Sequence, residues 1–215
     1  MNIFIMGAPG SGKGTFSSRI KDEFNLNHIS TGDIFRSNIK NETELGLQAK
    51  AYTEKGLLVP DEITNKMVKD YLSQLTDKKN GYLLDGYPRT LDQAKAFEEL
   101  TKGTDLAVDI VLAMDVSFDE LTRRITGRRT CKQSGEIFNI YSKAPKKEGV
   151  CDVCGSELTQ RKDDNEESLK TRLEEYAKNT EPVIAYYDEK GIVSHIDASG
   201  AIDDIWKRVQ SVLNK

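Results

Sequence analysis

Short apolar runs alternate with helix-spaced apolar stripes along this chain. Residues 3–6, 27–30, 82–85, 110–114 and 192–196 read as strands. Between them, apolar positions recur about every four residues. Phe16, Ile20 and Phe24 form one stripe, and Ile63, Met67 and Tyr71 another. A third runs through Leu169, Leu173 and Tyr176-Ala177, and a fourth through Ile202, Ile205-Trp206, Val209 and Val212-Leu213. Ser117-Phe118-Asp119-Glu120 has capping-box spacing and predicts the start of a helix that carries Arg123 and Arg124. The alternation predicts an α/β fold: a parallel five-stranded sheet with helices on both faces and ligands at the carboxyl ends of the strands.

Two stretches break the alternation. Residues 30–59 follow a strand but lead through helical segments instead of returning to the sheet. Residues 127–164 hold Cys131, Gly135, Pro145, Gly149, Cys151, Cys154 and Gly155, a turn-rich composition unlike their surroundings. Both read as mobile subdomains inserted on the ligand side of a core made of residues 1–29, 60–126 and 165–215.

The first strand runs into Gly-Ala-Pro-Gly-Ser-Gly-Lys-Gly-Thr at residues 7–15. Gly7, Gly10, Gly12 and Gly14 let the backbone curl so that successive amides face an anion. Lys13 adds a mobile charge, and a helix expected to begin near Thr15 turns its positive end to the same point. The implied ligand is a nucleoside triphosphate. The general phosphate-loop pattern has Ser or Thr directly after the lysine, whereas here Gly14 intervenes before Thr15. Strand, loop and helix arrive in the required order, which disfavours a glycine-rich turn with a chance lysine.

A second set of residues suggests a second phosphate-bearing ligand. Ser30-Thr31-Gly32-Asp33 follows a strand and leads to Arg36. Asp85-Gly86-Tyr87-Pro88-Arg89 ends the third strand, with Gln93 one helical turn beyond. Arginine grips phosphate bidentately, and Thr and Gln can read the edge of a base.

At 215 residues the chain suits one sizeable domain with insertions. Its 31 basic and 35 acidic residues leave a net charge of −4, so no global basic field favours nucleic acid. There is no basic-then-apolar leader and no apolar run of membrane-spanning length, and cytoplasm is the expected location. Cys131-x-x-Ser134 and Cys151-x-x-Cys154 have the two-plus-two spacing of a structural zinc site, with a serine in one place. Three thiolates plus water, Ser134 or a carboxylate such as Asp152 would hold the ion. The alternative is three thiols and Ser134 packed as a polar knuckle without metal.

Taken together, residues 7–15, 30–33 with Arg36, 56–61, 85–89 with Gln93, Gly127-Arg128-Arg129 and residues 161–164 occur in the order and at the spacing of adenylate kinases. The chain resembles that family over essentially its whole length, and residues 127–164 resemble the long lid of bacterial members. The resemblance implies a P-loop NTPase-type fold and magnesium-dependent phosphoryl transfer from ATP to AMP, giving two ADP and maintaining adenine nucleotide balance. It implies that Gly10, Ser11, Gly12, Lys13, Gly14 and Thr15 wrap the ATP phosphates, and that Ile137, Phe138 and Gly200 frame the ATP base. Thr31, Leu57, Leu58, Val59 and Gln93 would hold the AMP nucleoside, beside Gly86, Tyr87 and Pro88. Arg36 and Arg89 would hold the AMP phosphate, and Arg124, Arg128, Arg161 and Arg172 would converge on the phosphates between the nucleotides. Asp85 would orient magnesium through its water shell, and a monomer is expected. In that family the knuckle positions carry either metal ligands or hydrogen-bonding side chains, so the resemblance leaves zinc open, although the spacing favours it.

Other features read as structural. His28 and His195 lie at strands, Trp206 belongs to a core stripe, and residues 143–147 form a solvated turn. Asp163 and Asp164 are expected to pair with arginines or to act as a hinge. Rival readings are a pyrimidine nucleoside monophosphate kinase, disfavoured by the long insertion, use of GTP as donor, and a nucleic-acid-binding module with a vestigial phosphate loop, disfavoured by the charge balance and the intact arginine set.

Overall fold

The computed structural model describes residues 1–74 and 80–214; residues 75–79 and 215, assigned above to the core, lie outside the described residues. In chain order the first half runs β1 (Asn2–Gly7), α1 (Lys13–Phe24), β2 (Asn27–Ser30), α2 (Thr31–Lys40), α3 (Glu44–Thr53), α4 (Asp61–Ser73), β3 (Tyr82–Asp85), α5 (Leu91–Thr101) and β4 (Ile110–Asp115). There follow α6 (Phe118–Gly127), β5 (Arg128–Cys131), β6 (Ile137–Asn139), β7 (Leu158–Thr159) and α7 (Glu166–Glu175). A π-helical turn at Tyr176–Thr180 leads to α8 (Glu181–Asp188), β8 (Val193–Asp197) and α9 (Ile202–Leu213).

Five strands form a parallel sheet in the order β2-β3-β1-β4-β8. The order places β1 at the centre, buried along its whole length. Its side chains alternate between two cores. Phe4 packs with Leu84, Phe97 and Tyr187 on the face covered by α4, α5 and α8, while Ile3 and Ile5 pack with Phe16, Ile20, Ile205 and Val209 under α1 and α9. Phe4 meets Phe97 edge-on with ring centroids 5.0 Å apart, a favoured arrangement for two aromatic quadrupoles. The five expected strands are present within about a residue at their ends, and both sheet faces carry helices.

Several local expectations are corrected. Helix α1 starts at Lys13, two residues before Thr15. In α4 the buried side is Thr64, Met67, Val68 and Leu72, whereas Tyr71 points to solvent. The stripe through Leu169 and Leu173 does not continue to Ala177, which is exposed, because the π turn inserts an extra residue and rotates the following face. Trp206 lies half-buried at the rim of its core beneath the Arg19 guanidinium, 5.9 Å from the ring centre. Ser117 precedes α6, but no side-chain cap forms there; Glu120 turns instead to Arg124 one turn on. Lys143 is not simply solvated, since it pairs with Glu136 and lies over the Phe138 ring.

The two stretches that broke the alternation fold locally. In residues 30–59, the Ser30 hydroxyl accepts from Asp33 N and opens α2, and Thr43 accepts from Gly46 N and opens α3. The two helices pack so closely that a Cβ at Gly46 would overlap the Asn38 carbonyl. Residues 127–164 hold an antiparallel sheet in the order β6-β5-β7, with Cys131, Phe138, Cys151 and Leu158 as a small core of its own.

Candidate active site

The loops after β1, β2, β3, β4 and β8 open onto one cleft of about 2090 Å³, which the 30–59 and 127–164 stretches also line. That exceeds the several hundred Å³ of a typical single-ligand pocket. At its base, Gly10 (φ 90) and Gly12 (φ 95) hold the loop after β1 in the left-handed region, which side chains other than glycine enter at a cost. Lys13 Nζ donates to the carbonyls of Gly7 at 2.6 Å and Ala8 at 3.0 Å, so the ammonium folds back over the loop. Burial pushes its pKa down to about 8, with Arg89, Arg172 and Arg128 adding to the shift and Asp85 opposing it. Gly14 matters for another reason: a Cβ there would sit 3.3 Å from Ile137 Cδ1, so a small residue lets β6 come down on the loop.

Of the residues expected to contact nucleotide, Ser11 does not line the cleft. Its side chain is fully buried beneath the loop, leaving only its backbone for an anion. Phe138 needs a similar distinction. Adjacent strand residues face opposite ways, so Ile137 faces the phosphate loop while the Phe138 ring packs with the cysteines. Phe138 still borders the cleft, as does Gly200 on the loop after β8.

Across the cleft stand Thr31, Arg36, Leu57, Leu58, Val59, Gly86, Tyr87, Pro88, Arg89 and Gln93. Thr31 Oγ1 donates to Gly86 O at 2.8 Å, tying the start of α2 to the end of β3. Arg36 pairs with Asp33. Burial alone would raise Asp33, but Arg36 and the Ser30 hydroxyl outweigh it and hold the carboxyl below its ordinary range. Arg89 Nε donates to Gly86 O at 2.8 Å, and its own carbonyl accepts from Thr180 Oγ1 at 3.0 Å. The π turn thus aims a side chain at the loop that carries Arg89.

Lys13, Arg89, Arg128, Arg161 and Arg172 all border the cleft, and Arg128 is close enough to disfavour the charge on Lys13, Arg161 and Arg172. Burial with the nearby Arg128 and Arg36 pushes Arg161 down to about 9. Burial, Arg128 and Arg89 push Arg172 down to about 10 against the opposing pull of Asp163. Burial also lowers Arg89. Guanidinium stays protonated at neutral pH, so these shifts express crowded, partly desolvated positive charge that a polyanion would relieve. Two carboxylates relieve part of it. Arg128 grips Asp164 with both Nε and Nη2, and Arg172 Nη1 donates to Asp163 Oδ2 at 2.9 Å. The pairing expected of Asp163 and Asp164 is therefore present. Arg124 stands apart, donating to Ala198 O at 2.7 Å and Ser11 O at 3.4 Å, which braces the phosphate loop against the loop after β8.

Asp85 lies at the end of β3 on the cleft, with Ser17 Oγ 3.4 Å from its Oδ2. His28 borders the cleft from β2, and its buried Nε2 makes no hydrogen bond among the described residues. Burial holds His28 below its ordinary pKa, so its ring is neutral at pH 7. His195 is a surface residue whose Nδ1 lies 2.9 Å from Asp115 Oδ2.

The knuckle residues meet above this site. The sulfurs of Cys131, Cys151 and Cys154 lie within 4.8 Å of one another. Ser134 N donates to Cys131 Sγ at 3.4 Å, and Ser134 Oγ lies 3.4 Å from Cys151 Sγ. The bonds from Ser134 push Cys131 down to about 6, so the thiolate forms readily at neutral pH; bonds from Ser156 lower Cys154. Three converging sulfurs, with Cys131 Sγ held by an N–H donor, are a donor set that fits zinc. Asp152 is turned away, accepting from Lys146 N at 3.0 Å.

The family model described as adenylate kinase matches residues 5–192. The chain belongs to the adenylate kinase family. It is 45% identical over 215 residues to the adenylate kinase of Thermodesulfovibrio yellowstonii, and equally to that of Clostridium acetobutylicum, covering all of each. It is 46% identical over 213 residues to the adenylate kinase of Bacillus licheniformis, covering 99% of this chain and 98% of that one. Among the described residues, no helix of this adenylate kinase family member is long and apolar enough to cross a membrane.

Asp61 closes the 56–61 motif but has no role legible in the sequence, and Thr90 and Thr180 are not among the expected site residues. Asp61 accepts from Gln93 Nε2 and Thr90 Oγ1, and Thr90 caps α5 by accepting from Gln93 N. A signal for Thr90 was present, since Thr90-Leu91-Asp92-Gln93 has capping-box spacing. Thr180 carries no comparable mark.

Proposed function

We propose that this cleft transfers the terminal phosphoryl group of ATP to AMP, giving two ADP. The observation that carries the reading is that one cleft joins a phosphate loop to a second arginine-lined wall, with crowded cationic side chains between them. Gly10, Gly12, Lys13, Gly14, Thr15 and the Ser11 backbone take the donor phosphates, and Ile137, Gly200 and the border formed by Phe138 frame the donor base. Thr31, Leu57, Leu58, Val59 and Gln93 take the acceptor nucleoside beside Gly86, Tyr87 and Pro88, with Arg36 and Arg89 on its phosphate. Arg128, Arg161 and Arg172 meet the phosphoryl group in transit, and Arg124 holds the donor side in place.

Phosphoryl transfer needs in-line positioning and positive charge where negative charge spreads, with little covalent work from the protein. The site offers that composition: lysine and arginines, and a carboxylate in Asp85. Magnesium bound with ATP would neutralise phosphate charge, with Asp85 oriented towards its water shell. Arg128 and Arg172 would exchange their carboxylate partners Asp164 and Asp163 for phosphate oxygens, so binding of the polyanion loosens the end of the 127–164 stretch. We read residues 30–59 as the acceptor flap and 127–164 as the lid, which together exclude water from the transfer. Cys131, Cys151 and Cys154 would hold a structural zinc, with Ser134 beside the fourth position, joining two turns of the lid. A cytoplasmic monomer is part of the same reading.

The test is ADP formation from MgATP with AMP, UMP, CMP or GMP, each against an acceptor-free control. Turnover with AMP and none without acceptor is the expected result. Preference for another acceptor would overturn the roles of Thr31 and Gln93, and transfer to none would overturn the activity.

A further inference from the structure

We propose that Asp61 fixes the polarity of the Gln93 amide and thereby makes the acceptor pocket select a 6-aminopurine over a 6-oxopurine. The proposal rests on the reading of Gln93 as a contact to the acceptor base.

A primary amide has an oxygen and a nitrogen end of nearly equal shape, and a half-turn exchanges them. Here two neighbours oppose that half-turn. Gln93 Nε2 donates to Asp61 Oδ1 at 2.7 Å, and an ionised carboxylate only accepts, so the nitrogen must lie there. Arg89 N donates to Gln93 Oε1 at 2.7 Å, and a backbone N–H only donates, so the oxygen must lie at the other end. A flipped amide would lose both bonds and set oxygen against carboxylate and N–H against N–H. Asp61 is itself held, since its Oδ2 accepts from Thr90 Oγ1 at 2.6 Å while Thr90 accepts from Gln93 N at 3.1 Å. Gln93 is 2% exposed and borders the cleft, whereas Asp61 stands behind it and does not. Asp61 is therefore a positioning residue.

After these bonds Gln93 keeps one N–H and one lone pair on Oε1. Adenine presents a donating 6-amino group next to an accepting ring nitrogen, which matches an amide of fixed sense. A 6-oxopurine presents an accepting oxygen next to a donating ring N–H, the reverse order. A site that leaves buried polar groups unmatched rejects the wrong ligand far more strongly than one that only misfits its shape.

The experiment compares kcat/KM for AMP, IMP and GMP at saturating MgATP in the wild type and in Asp61→Asn. Asparagine keeps the shape, but its amide can donate as well as accept, so a flipped Gln93 regains a partner. The wild type should favour AMP strongly, and Asp61→Asn should lower the AMP-to-IMP ratio about tenfold or more, the worth of one matched hydrogen bond. Loss of a helix cap alone would lower both acceptors equally. An unchanged ratio in the folded variant therefore overturns the lock and leaves the pocket reading intact. A wild type without preference for AMP, or a Gln93→Ala variant with unaltered KM for AMP, overturns the pocket reading itself. A second measurement needs no variant: side-chain amide NMR of the free wild type should show the Gln93 protons protected from exchange. Rapid exchange like that of a free amide overturns the lock even if Asp61→Asn does not fold.

Discussion

At the scale of single residues, Lys13 carries the clearest consequences. It is a cation placed where burial and three arginines oppose its charge, held by the Gly7 and Ala8 carbonyls, the Ser11 hydroxyl and the pull of Asp85. Lys13→Met should abolish transfer, at a cost of about 2–4 kcal/mol or more in transition-state stabilisation. Thermal melting should show the variant folded and no less stable, because a disfavoured charge has been removed. Near-normal turnover would sink the role of Lys13. The pKa of about 8 lies below the ordinary 10.5, so between those values the unfolded chain binds the proton more tightly. The charged lysine therefore costs stability most fully below pH 8, and that cost fades as pH rises towards 10.5. Function runs the other way. The kcat/KM for ATP should fall above about pH 8 as free Lys13 loses its proton, while kcat holds to higher pH because bound phosphates favour the ammonium. A kcat/KM flat to pH 10 would contradict this. Lys13 was legible because glycine spacing marks its loop. Asp61 was not, because it acts only through Gln93 and Thr90, which a different element brings to it.

At the scale of elements, capping decides which helices could be read and where. Ser30, Thr43, Thr90 and Asn165 each cap a helix by accepting from a backbone N–H. Ser117 does not, although its sequence matches the motif, and the Glu120 carboxylate pairs with Arg124 one turn on. The pairing of α2 with α3 depends on Gly46, whose missing Cβ leaves room for the Asn38 carbonyl. Gly46→Ala gains helix propensity of about 1 kcal/mol but must push the helices apart. We expect net destabilisation of about 1–3 kcal/mol and a raised KM for AMP, read by thermal melting and steady-state kinetics. An increase in melting temperature would show that α3 shifts without penalty. The π turn was invisible in the sequence because periodicity averages over a helix and misses one added residue; its product is Thr180 facing Arg89.

At the scale of the whole molecule, two inserted stretches close over one sheet. Lys162 Nζ of one comes within 3.9 Å of Glu54 Oε1 of the other, and a Cβ at Gly56 would lie only 3.0 Å from Arg172 Cγ of α7. The small core of the 127–164 stretch has only Cys131, Phe138, Cys151 and Leu158, so a metal crosslink there should matter. Protein purified without chelators should contain about one zinc per chain, and removing it should lower the melting temperature reversibly. Well under one equivalent by metal analysis would favour the metal-free knuckle. An unreactive polyphosphate ligand should raise the melting temperature by relieving the crowded cations, and more so at low salt.

The sequence by itself determined the strand positions, the phosphate loop and part of the set of residues that line the cleft. Those features are local: apolar periodicity, glycine spacing and short charged motifs are written within a few residues. Tertiary structure alone decided how that inventory is wired. It buried the Ser11 side chain beneath the loop, packed the Phe138 ring with the cysteines, gave Arg128 and Arg172 to Asp164 and Asp163, and set Asp61 and Arg89 N on either end of Gln93. Hydrogen bonds and ion pairs between distant segments depend on where the chain returns, and one segment's pattern holds no record of its partner.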